Sequence, residues 1–280
     1  MSTLTSYASA AARDSAAPAA SNTGLCIFRS DTKAIEVSDG TSYLTYNNDG
    51  VFGWTGSSAY SMSFDGTDDR LSLSSAVTAS ATSGTISAWI KTTGTTYRAI
   101  FSSANTSGGI TWGWMAVYNS KLRITFRQGG GTVKTADGST TLTDGAWHHV
   151  MAVSSGTAYN LYVDGSAETL TNSNNDGTWF GDLTGLNSSD IGAHVRSSVG
   201  NYYNGLIDEL AIWDSDQSSN ISTIYNSGTP GNLSSLSPNH WYRMGDNNAA
   251  SGDTIYDQGS GGVNATKIPS GGPSYSTDVA

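Results

Sequence analysis

Two adjacent carboxylates, Asp208 and Glu209, stand in an otherwise apolar segment, and a pair of carboxylates is what cleavage of a glycosidic bond requires. In a retaining hydrolase the two carboxyl groups lie about 5 Å apart, on either side of the bond that is cleaved. Neighbouring residues of a β-strand point to opposite faces, so Asp208 and Glu209 are not expected to work as a pair. We therefore predict no catalytic residue and a protein that is not an enzyme. A glycan hydrolase is the least favoured alternative.

Histidine and cysteine chemistry finds little support in the sequence. His148 and His149 are consecutive in a predicted strand, where one side chain faces the core and the other faces solvent, whereas a metal site needs converging ligands. Cys26 is the only cysteine, which excludes an intrachain disulfide and a cysteine-rich zinc site. The sequence also lacks the Gly-x-Ser-x-Gly turn that presents a serine nucleophile in α/β-hydrolases.

A calcium site is the main metal hypothesis. Asp65, Asp68 and Asp69 crowd one predicted loop, and Asp208 could approach them from a neighbouring strand. Calcium takes six to eight oxygen ligands from loop carboxylates and carbonyls. The alternative is that such aspartates only cap their own turns, as Asp does in Asp-Gly sequences. The cofactor prediction is therefore none, or calcium.

Exposed aromatic rings are the second kind of binding group that the sequence offers. Trp112 and Trp114 share one face of a predicted strand, and Trp179 lies in a predicted loop. These three are our candidates for a carbohydrate platform, with Trp179 expected to be the most exposed. For Trp112 and Trp114, packing in the core is the alternative. Three further tryptophans lie in alternating apolar runs and are expected in the core, namely Trp89, Trp147 and Trp213.

The elements that hold these residues are predicted to be short β-strands. Charged residues make up 13% of the 280 residues, against about 25% in an average globular protein, which leaves little material for amphipathic helices. Polar and apolar side chains alternate strictly over residues 121–127, as in a strand with one buried face. Similar runs recur roughly every 8–12 residues, which is typical of an antiparallel sandwich or barrel. The predicted strands are 59–64, 70–73, 84–91, 98–102, 113–118, 121–127, 132–135, 147–154, 158–163, 190–193, 203–209 and 210–214.

Four segments can be distinguished along the chain. Residues 1–23 are rich in Ala and Ser and form either a flexible tail or a segment that orders only on a partner. Residues 24–56 form a small β unit whose three predicted strands are too short to stand alone. The sandwich occupies residues 57–229. Residues 230–280 are turn-rich around a strand at 239–244, are expected to complete the sandwich and end in a mobile segment.

Five motifs in the central region resemble those of laminin-G-like domains in the concanavalin A-like superfamily, and they occur in the same order. They are Ser63–Leu71 (SFDGTDDRL), Thr85–Lys91 (TISAWIK), Asp144–Val150 (DGAWHHV), Asn160–Gly165 (NLYVDG) and Gly205–Trp213 (GLIDELAIW). The resemblance implies a jelly-roll sandwich of two antiparallel sheets, and many such domains bind calcium. His240–Asp246 resembles a segment that usually opens these domains, although here it follows the core.

The N-terminal residues resemble a different group of proteins. Residues 22–33 and 39–43 are similar to short modules at the front of tailed-phage fibre and virion proteins. The resemblance implies a structural protein of the virion, in a fibre, tail, neck or capsid decoration. Residues 1–50 would then bind other virion proteins, and the sandwich, as a homo-oligomer, would bind a host surface glycan. A free carbohydrate-binding lectin or adhesin is the alternative.

Charge and hydropathy exclude other partners. The formal net charge is −10 and no cluster of Lys and Arg occurs, so binding to nucleic acid is not expected. No apolar run is long enough for a membrane helix, and the first residues lack the features of a signal peptide. We expect no membrane insertion and a location in the virion.

Overall fold

The computed structural model describes residues 58–280 except 79, 172–173 and 247–249, and five short strands within the first 57 residues. The chain divides into two compact units, Met1–Gly56 and Ser57–Ala280. The remainder of the Ala/Ser-rich start, for which a tail or a partner-ordered segment is predicted, lies outside the described residues.

The first unit contains a sheet of five strands. They are β1 (Thr5–Tyr7), β2 (Cys26–Arg29), β3 (Ala34–Ser38), β4 (Tyr43–Tyr46) and β5 (Phe52–Gly53). The strands lie in chain order, β1 runs parallel to β2, and every other neighbouring pair is antiparallel. The three strands predicted from the sequence correspond to β2, β3 and β4.

The second unit is built almost entirely from strands. They are β6 (Ser61–Asp65), β7 (Arg70–Leu73), β8 (Gly84–Lys91), β9 (Arg98–Ala104), β10 (Trp112–Tyr118), β11 (Lys121–Arg127), β12 (Lys134–Asp137), β13 (Trp147–Ser154), β14 (Tyr159–Val163), β15 (Ser166–Ala167), β16 (Ser188–Ile191), β17 (His194–Val195), β18 (Val199–Gly200), β19 (Asn204–Trp213), β20 (His240–Tyr242), β21 (Thr254–Ile255), β22 (Ala265–Ile268) and β23 (Ser274–Ser276). One short helix, α1 (Ile221–Tyr225), and 3₁₀ turns at Phe180–Asp182, Ser218–Asn220, Asn226–Gly228 and Ser234–Leu236 complete the unit.

These strands form two antiparallel eight-stranded sheets. Sheet I has the order β12-β11-β10-β9-β16-β7-β22-β21. Sheet II has the order β15-β14-β13-β8-β19-β6-β23, with β20 paired to β19 beyond the end of β6. The strands β17 and β18 form a separate hairpin between β16 and β19. The predicted all-β, antiparallel, two-sheet sandwich is therefore confirmed.

The core lies between the two sheets and follows from the alternation of side chains along the strands. In β11 the apolar residues Leu122, Ile124 and Phe126 are completely buried, as the sequence pattern predicts. They belong to one apolar cluster with residues of sheet II such as Ile86 and Val150. Burial of each large apolar side chain contributes about 1.5–3 kcal/mol, so this cluster is the main source of stability.

A second, smaller apolar cluster covers the outer face of sheet II. Ile224 of α1 packs there with Trp213, Trp241, Met151 and Leu233. Because this face is covered by α1 and the turns around it, a ligand has no direct access to it from that side.

A β-bulge in β19 changes which side chains share this outer face. Asp208 pairs with Trp89 and Ala211 pairs with Ser87, so three steps along β19 match two steps along β8. Glu209 occupies the extra position with a φ of 46°. The residues predicted as two strands, 203–209 and 210–214, therefore form one continuous strand that is bent at Glu209.

The C-terminal residues add strands to both sheets. β22 pairs with β7 in sheet I, and β23 pairs with β6 in sheet II. The carboxylate of Asp278 accepts hydrogen bonds from Lys91 Nζ (2.7 Å) and Trp147 Nε1 (2.9 Å). β23 occupies the edge position next to β6, and the mobile end expected from the sequence stays a prediction. Among the described residues, no helix has the length and apolar character needed to cross a membrane.

Candidate functional site

A cleft opens on the outer face of sheet I, above the strands that alternate most regularly. Trp112 and Trp114 of β10 project to this side, and Trp114 stands opposite Thr125 of β11. The β17–β18 hairpin borders the cleft and contributes His194. The cavity has a volume of about 400 Å³. Its lining residues are Tyr97, Trp112, Trp114, Arg123, Thr125, Val133, Thr135, His194, Arg196 and Asn201.

A stack of rings forms one side of the cleft. The ring of Trp114 lies between Tyr97, at a centroid distance of 5.5 Å and an interplanar angle of 9°, and His194, at 4.4 Å and 27°. Trp112 meets Trp114 edge to face at 6.3 Å. Trp114 is 3% exposed and Trp112 9%, whereas Tyr97 is 40% exposed. The two tryptophans are therefore mostly buried beneath the cleft, and Tyr97, whose ring also contacts Tyr118 at 4.3 Å, is the most exposed ring of the stack.

Three buried polar atoms in this stack have no hydrogen-bond partner among the described residues. They are the indole Nε1 atoms of Trp112 and Trp114 and the Nε2 atom of His194. Buried polar groups in proteins are almost always hydrogen-bonded, because an unpaired one costs about 1–3 kcal/mol. Burial lowers the pKa of His194 to about 3, and the nearby Arg196 adds to this effect. The imidazole is therefore neutral at neutral pH and offers one donor and one acceptor.

Two guanidinium groups line the cleft, and they differ in their partners. Arg123 donates two hydrogen bonds to the carboxylate of Asp137, at 2.6 and 2.7 Å, and lies 3.7 Å from the centre of the Tyr118 ring. Arg196 lies 6.0 Å from the Trp112 ring, and no carboxylate within the described residues forms an ion pair with it. No residue lining the described cavity is acidic. The cleft therefore carries net positive charge in a chain whose net charge is −10.

The rim of the cleft is apolar. Of five large hydrophobic side chains that are exposed in the described residues, Tyr97 and Val133 line the cavity and Val199 lies on the bordering hairpin. Ile110 belongs to the loop that touches the same hairpin at Ser197. Concentration of exposed apolar side chains at one place is typical of a binding surface.

The tryptophans named from the sequence lie in different environments. Trp112 and Trp114 are mostly buried and still line the cleft, and their role as a carbohydrate platform stays a prediction. Trp179 is 0% exposed, which corrects the prediction of an exposed sugar platform. It packs against Phe126 and Phe180, because the 3₁₀ turn at Phe180–Asp182 folds the loop inward. Trp147, predicted in the core, is only partly buried.

The acidic loop between β6 and β7 brings together three of the four predicted calcium ligands. One carboxylate oxygen from each of Asp65, Asp68 and Asp69 lies within 4.8 Å of the others. Asp65 already accepts the backbone N–H of Thr67 at 2.7 Å, as in an ordinary turn. Burial raises the pKa of Asp69. One oxygen from each of three carboxylates is fewer than the six to eight ligands that calcium takes, so second carboxylate oxygens, backbone carbonyls or water would have to complete the shell. A calcium ion at this loop therefore stays a prediction.

Asp208 is not part of that loop, which corrects the fourth predicted ligand. Asn204 pairs with Asp65, and four residues of strand, about 13 Å, separate it from Asp208. Instead the bulge gathers Asp208, Glu209 and Asp246 around one guanidinium, that of Arg243, contrary to the expectation that neighbouring carboxylates point apart. Arg243 donates hydrogen bonds to Glu209 and Asp246, both at 3.0 Å.

This buried acid cluster has one carboxyl group without a cation of its own. Asp208 is 0% exposed and accepts hydrogen bonds from the hydroxyl of Ser58 (2.7 Å) and the N–H of Glu209 (2.8 Å). Burial raises the pKa of Asp208 well above its ordinary value, and the charges of Glu209 and Asp246 raise it further. All three carboxyl groups are closed off from solvent, so they do not form the open groove that a glycoside hydrolase requires.

The two histidines of β13 have structural partners. His149 is completely buried, with Nε2 at 2.8 Å from the hydroxyl of Ser87, and burial lowers its pKa to about 4. His148 lies between Asp164 (2.8 Å) and Asp144 (3.2 Å), and its hydrogen bond to Asp164 is the main cause of a raised pKa. The expected split into a core and a solvent-facing histidine is therefore not seen, because the His148 side chain is only 12% exposed.

Sequence reasoning missed four residues of the cleft, Tyr97, Arg123, His194 and Arg196. Arg123 stood in the alternating segment 121–127, where its place on the polar face was visible. Tyr97 and Arg196 lie outside the strands and His194 begins the two-residue strand β17; their positions depend on the pairing of distant strands, so no local pattern indicated them.

Comparisons with known proteins agree with this geometry. The family model of Laminin_G_3, in the concanavalin A-like lectin/glucanases superfamily, matches residues 65–220. No curated protein matches the sequence at a significant level. A Bacteroides ovatus protein proposed to bind carbohydrate is similar in structure, with a TM-score of 0.58 and 16% identity, over 88% of this chain and 74% of that one.

A second solved structure is the CBM40 domain of the Ruminococcus gnavus IT-sialidase bound to α2,3 sialyllactose. The TM-score is 0.51 and the identity 18%, over 60% of this chain and 98% of that one. At such identities the structural likeness concerns the fold alone. The family model covers more than half of the chain, and its match agrees with the laminin-G-like motifs and the two-sheet sandwich. The chain belongs to the Laminin_G_3 family of the concanavalin A-like lectin/glucanases superfamily.

Proposed function

We propose that the sandwich binds a glycan in the cleft on sheet I, and that it does so without catalysis. The observation that carries the proposal is the ring stack of Tyr97, Trp114 and His194 along the cleft, in which the Tyr97 ring is 40% exposed. A sugar ring matches this arrangement, because its C–H face packs on an aromatic ring while its hydroxyl groups pair with donors at the edge. Ligand sites of this kind combine aromatic walls with a few placed polar groups.

The absence of carboxylates along the described cleft supports binding rather than hydrolysis. Asp137 is the nearest acid that the cleft residues bind, and both of its oxygens accept from Arg123. The buried acid cluster lies on the outer face of sheet II, next to Trp241, and not on sheet I. A hydrolase would need two carboxyl groups facing one substrate.

Substitution of the exposed ring tests the proposal with little risk to folding. Tyr97→Ala is expected to weaken glycan binding by about tenfold, because it removes the most exposed aromatic ring of the cleft. Tyr256→Ala is the matched control, since Tyr256 is 44% exposed and lies outside the cleft. The measurement is a glycan array followed by calorimetric titration of each binding saccharide. Binding that survives Tyr97→Ala as well as Tyr256→Ala, or hydrolysis of a bound glycan, would contradict the proposal.

We further propose that the first unit attaches the sandwich to a virion, as a fibre, tail, neck or capsid decoration protein. Its support is the resemblance of residues 22–33 to phage modules and the separation of the chain into two units at Gly56. Many copies on one particle, or a homo-oligomer, would turn weak cleft contacts into strong adhesion to a host surface glycan through effective concentration.

Deletion of residues 1–56 separates attachment from binding. The remaining chain, Ser57–Ala280, contains both sheets and the complete core, so it is expected to fold. It should keep the monovalent affinity for saccharide and lose incorporation into particles, as measured by proteomics of purified virions. Incorporation of the truncated chain would show that the first unit is not the attachment element. A free lectin would instead be absent from the particles in both forms.

A further inference from the structure

The charged groups that line the cleft are two guanidinium groups and no carboxylate, so they can only donate hydrogen bonds. The indole N–H groups of Trp112 and Trp114 have no acceptor among the described residues, and the guanidinium of Arg196 can only donate. The hydroxyl of Thr125 has little remaining capacity to bond a ligand, because it is already bonded to the carbonyl of Lys134 and the hydroxyl of Thr135. A neutral sugar hydroxyl both donates and accepts, so it would satisfy such a site less completely than a group that only accepts.

The charges of the cleft also favour a ligand group that accepts hydrogen bonds. The charge of Arg123 is compensated by Asp137, whereas Arg196 has no carboxylate partner within the described residues. His194 carries no charge near neutral pH. A single positive charge therefore remains beside partly buried aromatic rings, in a protein that is otherwise strongly acidic. Guanidinium groups at such positions bind carboxylate or sulfate through two parallel hydrogen bonds.

We propose that the glycan bound in the cleft is anionic, and that its carboxylate or sulfate group accepts hydrogen bonds from the guanidinium of Arg196. The inference rests on the proposed glycan-binding function and specifies the class of saccharide. Arg196 is the specificity-determining residue, and Tyr97 supplies affinity for the ring whatever its charge.

Matched pairs of saccharides test the proposal on the full-length chain. Methyl β-glucuronide is compared with methyl β-glucoside, and glucose 6-sulfate with glucose, by calorimetric titration. The anionic member of at least one pair is expected to bind about tenfold or more tightly, the effect of one charge-assisted hydrogen bond. The pair that shows the preference distinguishes carboxylate from sulfate.

Arg196→Gln is expected to abolish the preference and leave the affinity for the neutral member within about twofold. Lys121→Gln is the control, because it removes the same charge from an exposed position on β11 that does not line the cavity. Arg196→Lys should show part of the preference that Arg196→Gln loses, because lysine keeps the positive charge but lacks the planar guanidinium that forms two parallel hydrogen bonds.

Each result decides between the two proposals. Equal affinity for anionic and neutral members, or a preference that survives Arg196→Gln, would overturn the anionic ligand while leaving a glycan-binding cleft. An equal loss in Lys121→Gln would assign the preference to net charge and would also overturn it. A failure of every saccharide on the array and in both pairs to bind would overturn the proposed function together with this inference.

Discussion

Replacing Asp208 with Asn is expected to stabilise the sandwich at neutral and alkaline pH. The buried acid cluster contains three carboxyl groups and one guanidinium, and Asp208 is the member that receives only neutral hydrogen bonds. Burial raises its pKa well above the value of about 3.9 found in an unfolded chain. Between the unfolded and the folded pKa, the folded state binds more protons, so the free energy of unfolding falls as pH rises through this window.

The size of the effect follows from the same linkage. Each unit by which folding raises a carboxyl pKa costs about 1.4 kcal/mol once the pH exceeds the folded value. An amide can take over the hydrogen bonds of Asp208, because its Nδ2 can donate to Ser58, whose hydroxyl already reaches the carbonyl of Tyr60 at 3.2 Å. We therefore expect Asp208→Asn to raise the free energy of unfolding by about 1–3 kcal/mol near pH 8. The difference from the wild type should shrink as pH falls and level off below about pH 3, where Asp208 is protonated in both states.

Urea unfolding followed by tryptophan fluorescence measures this difference across the pH range. All tryptophans except Trp54 lie in the sandwich, so the signal reports this unit. Asp257→Asn is the matched control: Asp257 is equally buried, but it accepts from His240, Trp241, Gly259 and Val263. An amide there would face donors, and a loss of about 2 kcal/mol or more is expected. An Asp208→Asn protein less stable than the wild type near pH 8, or a difference that does not change with pH, would refute the reasoning.

Two further predictions concern the acidic loop and the core. If the loop of Asp65, Asp68 and Asp69 binds calcium, added calcium should raise the melting temperature of the wild type and not that of Asp68→Asn. Chelation of calcium should leave the saccharide affinity unchanged, because these residues do not line the cleft. A saccharide affinity that depends on calcium would contradict the assignment of the site to sheet I. Gly113→Ala should destabilise the sandwich by about 1–3 kcal/mol in urea unfolding, because the new Cβ would lie within 2.6 Å of ring atoms of Phe126. An unchanged midpoint would show that Phe126 can move aside.

Local patterns predicted the sandwich well. Strict alternation over residues 121–127 defined β11 to the residue, and apolar runs flanked by turns located β7, β8 and β13 with the same bounds. Such patterns depend only on which side of one strand is buried. The sequence motifs also identified the family, since five of them kept the family's order.

Features set by distant contacts were predicted poorly. Trp179 is surrounded in the sequence by turn-forming residues, which indicated an exposed loop. Its side chain is buried in the core because the chain folds inward at the 3₁₀ turn that follows. The bulge at Glu209 required knowledge of the register against β8, so the buried acid cluster had no local signal. The cleft combines β10 and β11 with a hairpin that begins at His194, and no single segment contains enough of it to be recognised.

The most direct test of the glycan-binding cleft is a ¹H–¹⁵N spectrum of the tryptophan indoles during titration with the saccharide that binds most tightly. The eight indole N–H groups give separate reporters, assigned through single Trp→Phe variants. Trp112 and Trp114 line the cleft and their indole N–H groups have no partner among the described residues, whereas those of Trp147, Trp213 and Trp241 already donate to Asp278, Leu236 and Glu209. We predict that saturation shifts the signals of Trp112 and Trp114 and leaves the others in place. Shifts confined to Trp147 or another indole outside the cleft, with Trp112 and Trp114 unchanged, would contradict the account.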